Sequence, residues 1–399
     1  MKILLALAIC LAAAVPLAAQ PVLLEEFEES DRSLEDFRAK LKRMAPSDPV
    51  DVTDEEASRR GKAIVDVAFA AGFKGEVVAG VRPNWYHGDR APALQRLGYG
   101  PGSSAMPVWP WASVTKQVVA YITVREAESF DFDLDAPADR YVKGFGKRHR
   151  VPTIRDLLRH TSGLANPENT PPDANGWPSA YSDGTLSPEW CIANRGAPPT
   201  EGYSYNNCDY IVLRHILEQV SYMSFDEILE ERLIPMGDTP PTLVVTQENV
   251  DRLAFIEEPE RSLLPAYGAA GGLSGTLLAL AIFNESVMNG LMISETARDE
   301  LWTPDAALDN QALGQWVFEA QPTGCDKPLR VVERRGAIGR YQMLNVMLPD
   351  LGQQLIAATP QPEEEFAFGQ VWEADSFLHD AIAMLACGAG DSVVAETTP

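Results

Sequence analysis

The stretch Trp109-Pro-Trp-Ala-Ser-Val-Thr-Lys116 runs directly into the mostly apolar segment Gln117-Val-Val-Ala-Tyr-Ile-Thr-Val124. Proline cannot occupy a helix interior and disfavours helical geometry in the residue before it, so Pro110 predicts a helix that begins at Ala112 or Ser113. Residues three apart lie on the same helix face, which places Ser113 and Lys116 together, one turn apart. Ser113 would then lie at the positive end of the helix dipole, which favours its alkoxide over the neutral hydroxyl.

Lys116 stands in apolar surroundings, because residues 118–122 cover several sides of the predicted helix and indicate that it is buried. A buried lysine destabilises a protein unless it is paired, so its presence favours a functional role. Serine and lysine are common residues, and about one Ser-x-x-Lys is expected by chance in a chain of this length. The motif occurs once, at Ser113, and its position at a helix start strengthens it as a candidate catalytic pair.

The beginning of the chain predicts export. Residues 1–19 contain Lys2, an apolar core from Ile3 to Val15 and the small-residue end Leu17-Ala-Ala19, which is the pattern of a secretory signal peptide. The apolar core is too short to span a membrane, so no stable membrane insertion is expected once the signal is removed. We therefore predict a periplasmic or secreted protein, in which residues 20–60 form a lead-in to the folded domain.

The charge of the chain excludes two classes of partner. The formal net charge is −24, from 57 acidic and 33 basic residues, and no basic run offsets it. Such a field repels nucleic acid and anionic membranes. A small-molecule or peptide substrate is the expected partner, and the sequence leaves the oligomeric state open.

The cysteines outside the predicted signal peptide are Cys191, Cys208, Cys325 and Cys387. In an exported chain they suggest two disulfides, for which three pairings are possible. They include no Cys-x-x-Cys spacing, which disfavours a zinc site or a redox motif. The short separation of Cys191 and Cys208 favours a bridge between these two, which would leave Cys325 to pair with Cys387.

Strand patterns are concentrated towards the two ends of the mature chain. Strands are predicted for Gly75–Arg82, Leu329–Arg334, Gln342–Met347 and Gln354–Ala358. The middle of the chain is mostly helical in pattern. We therefore predict a mixed α/β (α+β) fold, in which residues of about 61–110 and 326–360 form one sheet and about 135–265 form a helical insertion.

Five segments of the middle and the end of the chain carry their own predictions. Ile211–Val220 and Phe225–Leu233 predict helices, and Phe366–Leu385 predicts a C-terminal helix. Residues 166–199 are rich in Pro, Gly, Asn and Asp, and such a long loop is typical of a functional loop or lid. Ala266–Phe283 is about as long as a membrane span, but its four glycines favour a buried helix at 277–283 after a glycine turn.

Tyr205-Asn-Asn207 is the only Tyr-x-Asn sequence among the eleven tyrosines. A phenol near a lysine loses its proton more readily and can move a proton to and from a serine. The asparagine amide can orient the lysine and hold a substrate carbonyl. A tyrosine taken alone is more often an amphipathic core residue, so the motif gains meaning only together with Ser113 and Lys116.

Taken in order, these motifs resemble the penicillin-recognising serine hydrolases, in the branch that contains class C β-lactamases, D-Ala-D-Ala carboxypeptidases and related esterases. Ala112-Ser-Val-Thr-Lys116 is similar to the first motif of the family, and Tyr205-Asn-Asn207 is similar to the second. Further matches to the branch lie at Asp131–Asp135, Leu157–Leu164, Pro235–Thr239 and Gly271–Ser274. The resemblance implies a β-lactamase-like serine hydrolase domain over residues 61–399, with an antiparallel sheet flanked by helices.

The resemblance also implies a role for each candidate residue. Ser113 would attack an ester, amide or lactam carbonyl and form an acyl-enzyme, while Lys116 and Tyr205 share the general-base role. Backbone N–H groups of Ser113 and Ala337 would form the oxyanion hole. The substrate-binding residues would be Asn207, Arg334 and Gly336. No metal or organic cofactor is implied.

The third motif departs from the family, which has Lys or His, then a small residue, then Gly. The best match here is Arg334-Arg-Gly336, in which Gly336 keeps the position where two backbones approach closely. Arginine keeps the positive charge but cannot release a proton. We therefore expect an esterase or D-amino-acid peptidase rather than a true β-lactamase. The alternative is a catalytically inactive protein of the same fold that binds a peptide or glycan.

The five histidines form no Ser-His-Asp or metal-ligand arrangement in the sequence. His160 belongs to the stretch His160-Thr-Ser-Gly163, where a turn-stabilising role is favoured over catalysis. The resemblance assigns the acid–base chemistry to Lys116 and Tyr205 instead.

Overall fold

The structure is a computed structural model. It describes residues 60, 64, 68, 71–80, 94–97, 107–129, 132–233, 243–253, 256–291 and 293–387. The predicted signal peptide, residues 20–59 of the predicted lead-in and the family match at Pro235–Thr239 lie outside the described residues.

One antiparallel sheet is built from both ends of the described chain, as predicted. The described residues form, in all their sheets, the strands β1 (Glu76–Gly80), β2 (Leu94–Leu97), β3 (Trp109–Pro110), β4 (Leu243–Val244), β5 (Leu273–Gly275), β6 (Trp316–Ala320), β7 (Leu329–Ile338), β8 (Tyr341–Leu348) and β9 (Gln353–Thr359). Six of them form a sheet in the order β2-β1-β9-β8-β7-β6. The N-terminal strand β1 pairs with β9 near the C-terminus, in a register that places Val77 opposite Ala357.

Most of the described helices lie between β2 and β6 in the chain, and one follows β9. They are α1 (Thr115–Ser129), α2 (Ile154–Leu158), α3 (Ser179–Ser182), α4 (Pro188–Ala193), α5 (Cys208–Ser221), α6 (Phe225–Arg232), α7 (Glu260–Gly271), α8 (Leu277–Met288), α9 (Glu295–Leu301) and α10 (Phe377–Cys387). The predicted helices within 211–220 and 225–233 and the predicted buried helix after the glycine turn are confirmed as α5, α6 and α8. The mixed fold with a helical insertion is therefore confirmed.

The large sheet has an apolar core on each face, because successive side chains of a strand point to opposite sides. On β9, Ile356 and Ala358 join the core that contains α1, whereas Leu355 and Ala357 join the core under α10. Burying a leucine or isoleucine side chain stabilises a protein by about 1.5–3 kcal/mol. The continuous apolar pattern of β9 therefore reflects a strand that is covered on both faces.

A short three-stranded sheet, in the order β3-β5-β4, fixes the segment that leads into α1. Trp109 and Pro110 pair with residues of β5, and the Trp111 N–H donates to the Leu273 carbonyl at 2.8 Å. Trp111 also packs on Gly275, where a Cβ atom would come within 2.7 Å of the indole ring. A glycine at this position therefore allows the close contact that holds the start of α1.

Two helix boundaries differ from the prediction. The predicted C-terminal helix over 366–385 begins only at Phe377, because Phe366 lies in an aromatic cluster whose ring contacts include Phe73 at 5.0 Å and Phe377 at 5.5 Å. Gly369 then adopts a φ of 67°, which a helix does not accommodate. The sequence from Ile154 to Gly163 predicts a short helix with a glycine stop, whereas helix α2 ends at Leu158.

Both predicted disulfides are confirmed. Cys191 and Cys208 are bridged, as are Cys325 and Cys387. The first bridge joins α4, within the long loop 166–199, to the first residue of α5. Among the described helices, none combines the length and the apolar composition that crossing a membrane requires.

Candidate active site

A 3-10 turn over Ala112–Val114 precedes α1, which confirms the helix start predicted from Pro110. Ala112 adopts a φ of 45°, in the left-handed region that residues with a Cβ atom rarely occupy. Ala112 and Val114 are fully buried, whereas Ser113 between them stays partly exposed. The strained turn therefore presents the Ser113 hydroxyl at the N-terminal end of the helix, and such strain is common at functional sites.

The structure brings Ser113, Lys116 and Tyr205 together. Ser113 Oγ lies 2.7 Å from Tyr205 Oη, and Lys116 Nζ donates to Ser113 Oγ at 3.3 Å. Lys116 is completely buried, and its ammonium also donates to Asn207 Oδ1 at 2.7 Å and to the Ala270 carbonyl at 2.5 Å. The prediction that this lysine is buried and paired is confirmed.

The surroundings lower the pKa values of both Lys116 and Tyr205. Burial lowers the pKa of Lys116 to about 8, with Tyr205 opposing the shift and Arg334 adding to it. Burial alone would raise the pKa of Tyr205, but the positive charges of Lys116 and Arg334 outweigh it and the pKa falls below its ordinary value. Both shifts favour the deprotonated forms of Lys116 and Tyr205, so each becomes a better acceptor for the proton of Ser113.

Asn207 fixes the position of Lys116. Its Oδ1 accepts from Lys116 Nζ, and its Nδ2 donates to Tyr181 Oη at 2.7 Å and to Glu168 Oε1 at 3.0 Å. An amide nitrogen has two hydrogens, so both are used within the protein. In this arrangement Asn207 orients the lysine, and a substrate carbonyl could bind Nδ2 only in exchange for one of these two contacts.

Arg334 lies beside Tyr205. Its Nε donates to the Ser113 carbonyl at 3.2 Å, and its Cζ lies 5.2 Å from the Tyr205 ring centroid and 4.9 Å from that of Trp316. The side chain is 1% exposed, and its Nη1 has no hydrogen-bond partner among the described residues. Arg335 instead bonds the Gly369 carbonyl at 2.7 Å, so the assignment of Arg334 rather than Arg335 to the site agrees with the geometry.

Gly336 and Ala337 bring the edge of β7 against Ser113. A Cβ atom on Gly336 would lie 2.8 Å from both Ser113 N and the Trp111 carbonyl, so only glycine permits this approach. Strands β7 and β8 are joined by a two-residue turn, with Ile338 opposite Tyr341 and Ala337 opposite Gln342. Hydrogen-bonded and non-hydrogen-bonded pairs alternate along such a hairpin, so the Ala337 N–H points away from β8. Strand β6 pairs only with residues 329–333 of β7, which leaves this edge open.

A sequence profile described as Beta-lactamase matches residues 60–352, well over half of the chain. The chain belongs to the β-lactamase family. The fold and the Ser113 site both lie within the matched region. Solved structures with this β-lactamase-like fold include amidases and carboxypeptidases.

Individual relatives of this β-lactamase-family protein are distant in sequence. It is 22% identical over 286 residues to penicillin-binding protein 4* of Bacillus subtilis (strain 168), a match that spans 63% of this chain and 60% of that relative. The D-amino acid amidase from Ochrobactrum anthropi SV3 complexed with D-phenylalanine has a TM-score of 0.62 at 17% identity, covering 84% of this chain and 99% of that chain. The β-lactamase/D-alanine carboxypeptidase from Yersinia pestis complexed with citrate has a TM-score of 0.59 at 17% identity, covering 82% and 98%. These likenesses show the fold alone.

Behind Tyr205, a buried cluster around His160 holds the tyrosine in place. The His160 ring centroid lies 4.6 Å from that of Tyr205, and the His160 carbonyl accepts the Ser204 N–H at 2.8 Å. His160 Nδ1 lies 3.0 Å from Asp209 Oδ2. Burial lowers the pKa of His160 well below its usual value and raises that of Asp209 well above it, so burial favours the uncharged form of each. His160 has a φ of 59°, which agrees with the predicted role in a turn.

Sequence reasoning missed the residues on the far side of Asn207. Glu168 Oε1 accepts from Tyr181 Oη at 3.0 Å as well as from Asn207 Nδ2, and the carboxylate is also hydrogen-bonded by Tyr267. The rings of Tyr181 and Tyr267 stack at 4.2 Å. The only available signal was the composition of the loop 166–199, which contains Glu168 and Tyr181 and was predicted to be functional.

Proposed function

We propose that this protein is an exported serine hydrolase that acts through an acyl-enzyme on an ester or amide carbonyl. The observation that carries the proposal is the contact between Ser113 Oγ, Tyr205 Oη and Lys116 Nζ at the end of α1. A serine hydroxyl becomes a nucleophile when an adjacent group can take its proton. Two such groups adjoin this serine, and one of them is a lysine whose pKa is lowered to about 8.

The mechanism follows from this arrangement. Ser113 Oγ attacks the carbonyl carbon while its proton passes to the Lys116–Tyr205 pair. The negative charge that develops on the carbonyl oxygen is bound by the backbone N–H groups of Ser113 and Ala337, and one such donor contributes about 3–4 kcal/mol to transition-state stabilisation. Tyr205 then returns the proton to the leaving oxygen or nitrogen as its bond to the acyl carbon breaks. Water attacks the acyl-enzyme by the same route and restores the Ser113 hydroxyl.

An ester or a D-amino-acid amide or peptide is the preferred substrate class over a β-lactam. Arg334 stands where the family has Lys or His, and a guanidinium keeps its proton and cannot exchange it during the reaction. Arg334 is instead suited to hold Tyr205 and the backbone of Ser113 and to attract a substrate anion. Names of distant structural neighbours, which include a D-amino acid amidase and a D-stereospecific amidohydrolase, point in the same direction.

The first test is covalent labelling. A fluorophosphonate should give a single adduct, and peptide mass spectrometry should place it on the peptide that contains Ser113. Ser113→Ala is the matched control and should give none. A protein that stays unlabelled, or that is labelled on another serine, would favour the alternative of an inactive binding protein.

The second test ranks the substrates. Initial rates are compared for p-nitrophenyl esters, D-alanine p-nitroanilide, D-Ala-D-Ala peptides and a chromogenic cephalosporin. We expect turnover of an ester or a D-amino-acid substrate to exceed that of the cephalosporin. Turnover of the cephalosporin as the best substrate would contradict the proposed substrate class.

A further inference from the structure

We propose that Glu168 is a specificity residue that binds the free ammonium group of an α-amino acyl substrate. This inference rests on the proposed function and narrows it to esters and amides whose α-amino group is not acylated. The proposed ammonium site lies on the far side of the Asn207 side chain, away from Lys116.

Glu168 is held rigidly relative to the nucleophile. It lies on the 3-10 turn Pro167–Asn169, next to Asn166. Asn166 Nδ2 donates to the Tyr205 carbonyl at 3.3 Å, and its Oδ1 accepts the Asn207 N–H at 3.3 Å. The turn that carries Glu168 is therefore tied to the segment that carries Tyr205, so the carboxylate and Ser113 share one framework.

The carboxylate has room for a further donor. Glu168 accepts hydrogen bonds from Asn207, Tyr181 and Tyr267, and an ionised carboxylate offers about four acceptor positions. Glu168 itself is exposed, whereas Tyr181 and Tyr267 are buried. Aromatic faces attract cations, so the stacked pair of tyrosines beside a carboxylate suits an ammonium group.

Charge balance makes the carboxylate necessary for such a substrate. Arg334 is cationic, as is Lys116 when it is protonated, and without a nearby anion they would repel an ammonium group from the site. Glu168 interacts electrostatically with Lys116 across the Asn207 amide, which separates the two charged groups. The net charge of −24 adds a long-range attraction for cationic substrates.

Asn207 cannot perform the same recognition in this arrangement. Its two amide hydrogens are bonded to Glu168 and Tyr181, so the exposed polar group on this side of the site is an acceptor. An acceptor favours a substrate N–H or ammonium over a carbonyl. The carbon between an α-ammonium and the scissile carbonyl also fixes their separation, so a free amine bound at Glu168 would place the carbonyl at a constant distance from that carboxylate.

The kinetic test compares D-alanine p-nitroanilide with N-acetyl-D-alanine p-nitroanilide, which differ in the amine charge. The measured quantity is the ratio of their kcat/KM values in the wild type, in Glu168→Gln and in Glu189→Gln. Glutamine can still accept from Asn207 but carries no charge, and Glu189 is an exposed glutamate of the same loop. We expect the wild type and Glu189→Gln to favour the free amine, and Glu168→Gln to lower that ratio by about tenfold or more, the loss of a charge-assisted contact.

Two kinetic outcomes overturn the proposal. An unchanged ratio in Glu168→Gln means that the carboxylate does not recognise the amine. An equal loss on both substrates means that Glu168 acts only by positioning Asn207 and Lys116. Fluorophosphonate labelling of Ser113 is measured in parallel. Absence of labelling would count against the proposed hydrolase function itself, separately from the proposed role of Glu168.

A binding test is independent of turnover. D-Alaninamide and N-acetyl-D-alaninamide are titrated into Ser113→Ala by calorimetry, and the titration is repeated with Glu168→Gln added to that variant. We expect the free amine to bind more tightly than the acetylated amide, and this preference to be lost with Glu168→Gln. Equal affinities of the two amides for Ser113→Ala refute the proposal whether or not the protein is a hydrolase.

Discussion

Replacing Arg334 by alanine tests whether its charge supports the reacting groups. Arg334 Nε donates to the Ser113 carbonyl at 3.2 Å, and the guanidinium contacts the rings of Tyr205 and Trp316. A hydrogen bond from a charged group contributes about 1.5–3 kcal/mol, and a cation–π contact about 0.5–2 kcal/mol. Since about 1.4 kcal/mol corresponds to a tenfold change in rate, we expect Arg334→Ala to lower kcat/KM at neutral pH by about tenfold to a hundredfold.

The same substitution should change the pH dependence in a defined direction. Burial is the largest influence on the pKa values of Lys116 and Tyr205, and the positive charge of Arg334 lowers both. Without that charge both pKa values rise, so the deprotonated form that accepts the serine proton is reached only at higher pH. The rising limb of kcat/KM against pH should therefore move to higher pH in Arg334→Ala, and less so in Arg334→Lys, which keeps a charge.

The assay is steady-state kinetics on a neutral ester over a pH series, with thermal unfolding of each variant as a check on folding. Arg335→Ala is the matched control, because Arg335 is the next residue on β7 and bonds Gly369 and Gln370 rather than the site. The reasoning is refuted if Arg334→Ala changes kcat/KM by less than about threefold and leaves the pH profile unchanged. If Arg335→Ala changes both, the third motif lies one residue further along.

Three further substitutions test the framework of the site. Gly336→Ala places a Cβ atom 2.8 Å from Ser113 N, so the rate of fluorophosphonate labelling should fall by about a hundredfold, and an unchanged rate would contradict the oxyanion assignment. Cys208→Ser removes the disulfide to Cys191, so the free energy of unfolding measured by urea titration should fall by about 3 kcal/mol. An unaltered unfolding midpoint would contradict the stabilising role of this disulfide. His160 has a φ of 59°, a conformation that asparagine tolerates better than alanine. We expect His160→Ala to lower kcat/KM by about tenfold. An equal loss in His160→Asn would show that the backbone conformation at residue 160 does not contribute to this effect.

The features that could be predicted from sequence depend on local rules. The spacing of Ser113 and Lys116 and the position of Pro110 predicted the start of α1 and the shared face, since both follow from helix geometry. The strands of the C-terminal half were visible as apolar runs bounded by polar residues. The meeting of Tyr205 and Arg334 with this helix depends on long-range packing, and it could be predicted only because the motifs occur in the order of a known family.

The features that were missed depend on contacts that no local pattern records. The Glu168–Asn207 bond spans 39 residues of sequence, and it forms because the loop 166–199 folds back over the start of α5. The orientation of the Asn207 amide is set by its neighbours, so its availability to substrate could not be judged from the motif. Phe366 was assigned to a helix because its apolar character fits a helical stripe as well as an aromatic cluster.

Arg334 in the third motif and the carboxylate of Glu168 beyond Asn207 together determine which charge a substrate of this site can carry. A lysine or histidine beside Tyr205 could exchange protons during the reaction, whereas Arg334 can only attract and orient. Proton transfer then depends on Lys116 and Tyr205 alone. The fixed positive charge of Arg334, together with that of Lys116 when it is protonated, requires an anion for a cationic substrate to bind. Glu168 is such an anion, held by Asn207. We therefore infer that the departure at Arg334 and the presence of Glu168 both favour a substrate that carries its own ammonium group, which the paired p-nitroanilides test directly.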